Sequence, residues 1–251
     1  MNQESCQILT KMNIKSDVLV VNQCGHVAYH SWTRDGHSVE WYDFAERGVG
    51  LSRNNALLRA HGDILLFADD DVRYFEDCSA VILDEFRRYP MADVIIFNVI
   101  STCPERPEFM NQKRRRLHFF NSLKYGTFRM AVRREKIVKH NLSFHMMFGG
   151  GAKYGSGEDT IFLTDCFMRG LKVYASNQVI GQVSHNTSTW FHGITRTYFK
   201  DKGALFACIS KRWTFFLCLQ YCLRHPEVLT EYSLGEALRL MMTGAAEFKS
   251  L

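Results

Sequence analysis

Apolar runs of strand length alternate with segments of helical spacing along most of the chain. Asp17-Val18-Leu19-Val20-Val21-Asn22-Gln23 is a short apolar run closing on polar residues, the pattern of a buried strand feeding a loop. Glu4 to Met12 ahead of it has helical spacing, and Val39 to Asp43 predicts a second strand. A glycine-rich turn at Gly48 and Gly50 then leads to Ser52, which is read as the N-cap of an amphipathic helix ending near His61-Gly62. Leu65-Leu66-Phe67-Ala68 follows and ends abruptly in Asp69-Asp70-Asp71. Phe75 to Tyr89 predicts a helix stopped by Pro90, and Ala92 to Ile100 another buried strand. Strand character returns at Thr127 to Val132, Val173-Tyr174 and Val179 to Val183, with a helix from Glu158 towards Met168 between them. This alternation predicts an α/β protein with a largely parallel sheet, whose ligands collect at the carboxyl ends of the strands.

Beyond Tyr198 the pattern turns helical: Gly203 to Ile209, Trp213 to Leu223, and Leu234 to Met242 with Gly244 as a stop. The apolar stretch from Trp213 is broken by Gln220 and is too short to span a bilayer. Lys200, Lys202, Lys211, Arg212 and Arg224 are interleaved with it. Such helices suit either an anionic membrane surface or packing on the preceding domain or on a second copy, which would make a homodimer.

Composition changes this picture little. The 251 residues are 46% hydrophobic and 23% charged, as in an ordinary globular protein, and the net charge of +5 is too mild to imply nucleic acid. The eight cysteines show no C-x-x-C pairing and read as reduced core residues, not a disulfide framework or zinc site. Without an apolar signal segment at the start, a cytoplasmic protein is expected, peripheral on the inner face of the cell membrane if the late helices touch lipid. Ser101 to Leu117 reads as a surface excursion whose basic cluster Lys113-Arg114-Arg115-Arg116 is either solvated or meets a phosphate-bearing acceptor or an anionic bilayer.

The chemistry gathers at two places. Three adjacent carboxylates at a strand end repel one another and are costly to desolvate, so Asp69, Asp70 and Asp71 call for a cation; a hard divalent ion with diphosphate is one answer and a solvated acidic turn the other. Later, five glycines among residues 149–157 introduce the pair Glu158-Asp159. Glycine costs backbone entropy when ordered, so this loop is expected to move or to approach a ligand closely, with no packing role. The acid pair alone fits simple helix N-terminal electrostatics. Together, triplet and pair provide what metal-assisted transfer with a separate general base requires.

Gly50-Leu51-Ser52-Arg53-Asn54-Asn55, His61 to Asp71, Gly157-Glu158-Asp159-Thr160 and Gly170 to Tyr174 resemble the family-2 glycosyltransferases of the GT-A fold. The resemblance implies a Rossmann-like, mostly parallel central sheet flanked by helices over residues 1–198, with a nucleotide-sugar half to about 100, an acceptor half from about 101, and a helical extension over 199–251. It also implies a first apolar strand ahead of a position like Asn2, which the chain as numbered from Met1 lacks.

Residue by residue, the resemblance implies that Asp69 and Asp71 meet donor and metal, Asp71 the more direct ligand, with Asp70 between them. It puts Arg53 beside the nucleotide and Asn22 near the base, where many members have an aspartate. Asp159 is the expected base and Glu158 its neighbour; His185 is a further metal-side candidate, and Gly150, Gly151 and Trp190 lie on the acceptor side. The activity implied is inverting, Mn²⁺- or Mg²⁺-dependent transfer from a nucleotide-sugar to a glycan or lipid-linked acceptor in cell-surface polysaccharide assembly. The alternatives are a non-catalytic sugar- or nucleotide-binding relative and a GT-A nucleotidyltransferase, whose glycine-rich N-terminal signature is missing.

Overall fold

In the computed structural model, which describes residues 3, 5–184 and 193–250, the first apolar run forms β1 (Val18–Gln23). It follows a short helix α1 (Gln7–Lys11) and pairs in parallel with β3 (His37–Phe44). Between them lies β2 (Ala28–Arg34), antiparallel to β3 and missed by the apolar pattern. Its signal was in the turn: Asp35-Gly36 is a two-residue hairpin dipeptide, and both residues take positive φ, 51° and 82°. The helix α2 (Val49–Arg59) starts three residues before Ser52, with Gly48 as its N-cap.

The acidic strand is brief, β4 (Ile64–Leu66), and β5 (Val72–Tyr74) emerges directly beyond the triplet. Next come α3 (Cys78–Arg88), β6 (Val94–Ser101), the two-residue β7 (Arg115–Arg116), β8 (Met130–Arg133), α4 (Arg134–Lys139), α5 (Glu158–Met168) and β9 (Val173–Val183). The main sheet runs β4-β8-β6-β9-β5, with β7 also on β9. The α/β architecture is as expected, but the sheet is mixed: only β6 and β9 pair in parallel, and the other pairings are antiparallel. β4 is the reason, because its short run is flanked by β8, which returns from the basic excursion in the opposite sense. Phe67, Phe144 and Phe162 pack on one side of this sheet and Phe97, Ile95 and Phe86 on the other.

β1 belongs to a separate three-stranded sheet, order β1-β3-β2, and among the described residues no strand joins it to β4. Gln3 spans the two at their carboxyl ends: its backbone exchanges hydrogen bonds with the Asn22 side chain at 2.8 and 3.1 Å, and its amide reaches Asp70 at 2.8 Å. In the basic excursion Arg114 is not merely solvated, since it pairs with the buried Glu85 at 2.9 Å.

The C-terminal helices are α6 (Arg196–Ile209), α7 (Thr214–Arg224) and α8 (Leu234–Lys249). Gly244 does not stop the last of them. It lies inside α8 because α6 crosses there backbone to backbone: a Cβ on Gly244 would sit 2.0 Å from the Lys200 carbonyl oxygen, and one on Gly203 only 1.7 Å from that of Met241. Gly203→Ala must therefore force the two helices apart. Overpacking of this kind costs about 1–3 kcal/mol or more, so the variant is expected to melt several degrees lower than wild type, while Gly235→Ala, which meets nothing within 4 Å, is expected to melt unchanged. No described helix is long and apolar enough to cross a membrane.

Candidate active site

Arg53 organises the site. It sits one turn into α2 on the face turned toward the glycine loop, its guanidinium 5.3 Å from the centroid of the buried Phe144 ring. Its planar fork is divided among three carboxylates: Nη1 reaches Asp159 at 2.6 Å and Glu158 at 3.1 Å, and Nη2 reaches Asp69 at 3.0 Å. Two acids more than 85 residues apart from the third in sequence are thereby drawn to one point. Burial opposes the charge on Arg53, yet Asp159, Asp69 and Glu158 together hold its pKa above the ordinary arginine value.

The acid pair is split by its surroundings. Glu158 is nearly buried, and burial together with the Asp159 charge pushes it up to about 7, against the pull of Arg53. Asp159 is more open and is held by Arg53, by the Thr127 backbone N–H at 3.2 Å, and by the Thr127 hydroxyl, which donates to Oδ1. Thr127 was not singled out from the sequence; it lies in the turn entering β8, and its hydroxyl beside the acid pair is visible only in three dimensions.

The triplet also divides. Asp69 is engaged by Arg53 through both oxygens, at 3.0 and 3.3 Å. Asp70 takes Gln3. Asp71 has no ion-pair partner among the described residues, and burial, with the charges of Asp69 and Asp70, pushes it up to about 6. A carboxylate starved of positive charge beside two others fits a hard divalent cation. Asp69 is already paired with Arg53 and Asp71 is not.

The glycine loop does have a packing role. Gly149, Gly151 and Gly157 adopt positive φ, and a Cβ on Gly149 would meet the Glu158 carboxyl carbon at 2.7 Å. The Gly150 carbonyl accepts the Val49 N–H at 2.9 Å, and a Cβ on Gly151 would press on Gly48 at 3.2 Å. Side chains are excluded so that the starts of α2 and α5 can approach and set Arg53 against Glu158 and Asp159.

Asn22 is buried at the end of β1 and is spent on structure, donating to Asp43 at 2.7 Å as well as pairing with Gln3. It is not drawn into the Arg53 cluster by any direct bond. His185 and Trp190 lie outside the described residues.

Near Asn22, Cys24, His26 and Asp43 come together, with Cys24 Sγ 3.6 Å from His26 Nδ1 and 3.7 Å from Asp43 Oδ1. Asp43 Oδ1 already accepts from Trp41 Nε1 at 2.9 Å and from Asn22, which fills its lone pairs. Burial pushes Asp43 up, but these donors prevail and hold it below the usual carboxylate range. The trio is a satisfied hydrogen-bond knot that ties β3 to β1, and all described cysteines are free thiols.

Residues 28–149 match the family model described as Glycosyl transferase family 2. The match spans Arg53 and the acid triplet and ends before Glu158. No curated protein matches the chain in sequence. Among solved structures it is similar to TarS from S. aureus: residues 1–349 with UDP-GlcNAc superpose with a TM-score of 0.66 at 13% identity, covering 96% of this chain and 75% of that one. The same fragment without UDP-GlcNAc gives 0.64 at 14% identity over 96% and 76%, and the longer TarS chain 0.61 at 14% over 91% and 41%. At such identity the likeness speaks for the fold. With the family match over residues 28–149, which carry Arg53 and the acid triplet, the chain shares the fold of these structures and resembles the family-2 glycosyltransferases over that segment.

Proposed function

We propose that the chain is an inverting glycosyltransferase that moves a sugar from a nucleotide-sugar donor to an acceptor hydroxyl in the assembly of a cell-surface polysaccharide or related glycoconjugate. One observation carries this reading: Arg53 binds a strand-end acid, Asp69, and an acid pair at a helix start, Glu158 and Asp159, into one site. A donor-side acid and a proton acceptor are thus fixed relative to each other before any substrate arrives, which is the positional requirement of a displacement at an anomeric carbon.

In the reaction, Asp159 takes the proton of the acceptor hydroxyl as its oxygen attacks the anomeric carbon from the face opposite the leaving group. The bond from that carbon to the diphosphate oxygen breaks, the electron pair stays with the phosphate, and the single displacement inverts the configuration. Thr127 and Arg53 hold the Asp159 carboxylate in orientation. Asp71, with Asp69, would hold Mn²⁺ or Mg²⁺, which when bound screens the diphosphate charge. UDP-GlcNAc in the TarS crystal makes UDP-sugars the first donors to try.

A lipid-linked acceptor suits the outer face of α7. Trp213, Phe215, Phe216 and Leu223 are all exposed there, flanked by Lys211, Arg212 and Arg224. Interfacial aromatics rimmed by cations complement an anionic lipid surface.

The test is a set of UDP- and GDP-sugars offered with Mn²⁺, read by thermal shift and by release of nucleoside diphosphate, with anionic and neutral vesicles added in parallel. A donor that both raises the melting temperature and turns over is the expected result, with retention on anionic vesicles alone. Binding without turnover across the set favours the non-catalytic relative, and neither response overturns the reading. Equal recovery from both kinds of vesicle removes the membrane contact.

A further inference from the structure

Five acids, Asp69, Asp70, Asp71, Glu158 and Asp159, crowd a site whose arginine is already divided among three of them. A nucleoside diphosphate brings two or more further negative charges, and another accumulates on the leaving phosphate. A divalent cation offsets part of this. The fold supplies one more positive group on the helix that packs against the glycine loop, Lys202.

Lys202 lies in the second turn of α6. This turn is pinned to the glycine loop, because the neighbouring Asp201 accepts the Gly155 N–H at 2.8 Å. The pin also consumes Asp201 as a partner. One turn on, Leu205 presses on the residue just before the acid pair: a Cβ on Gly157 would meet its side chain at 2.8 Å. Lys202 is therefore carried between two α6 residues that pack on the loop leading into the acid pair.

Its immediate surroundings are aromatic. Nζ lies 5.4 Å from the Tyr198 ring centroid and 5.7 Å from that of Tyr221, and the two hydroxyls are hydrogen-bonded to each other, fixing the pair of rings as a shelf. Among the described residues no carboxylate comes within ion-pair distance of Nζ. Burial lowers the Lys202 pKa against the opposing pull of Asp201 and Glu158, as expected of a half-buried ammonium without a counter-ion in contact. Aromatic faces stabilise a partly buried cation but do not neutralise it, so its charge remains available to an incoming anion.

We propose that Lys202 binds the diphosphate of the nucleotide-sugar donor and holds the negative charge that remains on the phosphate when the sugar leaves. The ammonium donates hydrogen bonds to phosphate oxygen and keeps its proton; the proton of the acceptor still goes to Asp159. This inference rests on the glycosyltransferase reading and assigns a donor-binding residue from the helical extension, so that α6 completes the site as well as covering it.

The test compares UDP with UMP, and GDP with GMP, in titrations of the full chain with Mn²⁺. Wild type is expected to prefer the diphosphate. Lys202→Met retains the aliphatic contact with both rings and loses only the charge. It is expected to bind the diphosphate roughly 10- to 100-fold more weakly, the scale of one charge-assisted hydrogen bond, with the monophosphate affected much less, and Lys202→Arg is expected to restore most of the preference. A lysine that merely braces Tyr198 and Tyr221 would lower the melting temperature without moving the diphosphate-to-monophosphate ratio. An unchanged ratio in Lys202→Met, with wild type binding both nucleotides, overturns this inference alone. A wild-type chain that binds neither pair overturns the glycosyltransferase reading and the inference with it.

Discussion

Asp159→Asn is expected to reduce sugar transfer by about 10²- to 10⁴-fold, the usual contribution of a positioned general base, and to do so in kcat with little change in donor affinity. The substitution preserves shape, and its amide oxygen can still accept from Arg53 and from the Thr127 hydroxyl. Arg53 keeps Asp69 and Glu158 as partners, so the fold should hold. What is lost is the capacity to take a proton.

The neighbouring acid supplies the control. Glu158 has its pKa pushed up to about 7 by burial and by the Asp159 charge, so near neutral pH a large fraction of it already carries a proton. Glu158→Gln mimics that protonated form and is expected to lose far less activity than Asp159→Asn. Measuring kcat and donor KM for both variants at pH 7 separates the two roles. If Asp159→Asn retains a tenth or more of wild-type turnover, or Glu158→Gln falls as far, the base has been assigned to the wrong member of the pair.

How much of this arrangement could be read in advance depended on whether the determining contact was local. The strands β1, β6 and β9, the helix α5 and the acids at its start were legible because apolar periodicity and helix-terminus chemistry are properties of neighbouring residues. The Asp35-Gly36 hairpin is equally local, but β2 exposes most of its side chains and so carries no apolar run to mark it.

Other features were set by partners distant in sequence. Gly244 looks like a helix stop until Lys200 of α6 is placed against it. The glycines at 149 and 151 look like a mobile loop until Glu158 and Gly48 are seen to occupy the space a side chain would need. Arg114 looks solvated until Glu85, 29 residues away, is buried beneath it. The central sheet was expected to be mostly parallel because alternation of strand and helix cannot reveal that β8 inserts between β4 and β6. The same limitation hid Thr127, whose meaning comes from the Asp159 carboxylate it holds.

Arg53 is the residue whose loss should be felt most widely, because stability and chemistry both pass through it. Arg53→Met keeps much of the contact with Phe144 but leaves Asp69, Glu158 and Asp159 facing one another without a cation. Removing one partner of a buried charge cluster typically costs about 3–5 kcal/mol, and the partial exposure of Asp69 and Asp159 places the expected loss at the lower end of that range. The three carboxylates then repel one another and bind protons more readily. Native protein gains protons that the unfolded chain lacks, so the deficit relative to wild type should shrink as pH is lowered from 7 towards 5. Turnover should fall at least as far as in Asp159→Asn, since the base loses its orientation and Asp69 its anchor. Arg53→Lys restores the charge without the fork that reaches all three acids, so it should recover much of the stability and little of the rate. Thermal or urea unfolding of wild type and both variants at pH 5 and pH 7, set beside their turnover numbers, tests each step. A stability deficit that is small, or that grows on acidification, would mean that Arg53 does not balance these carboxylates, and the convergence on which the active site depends would lose its physical cause.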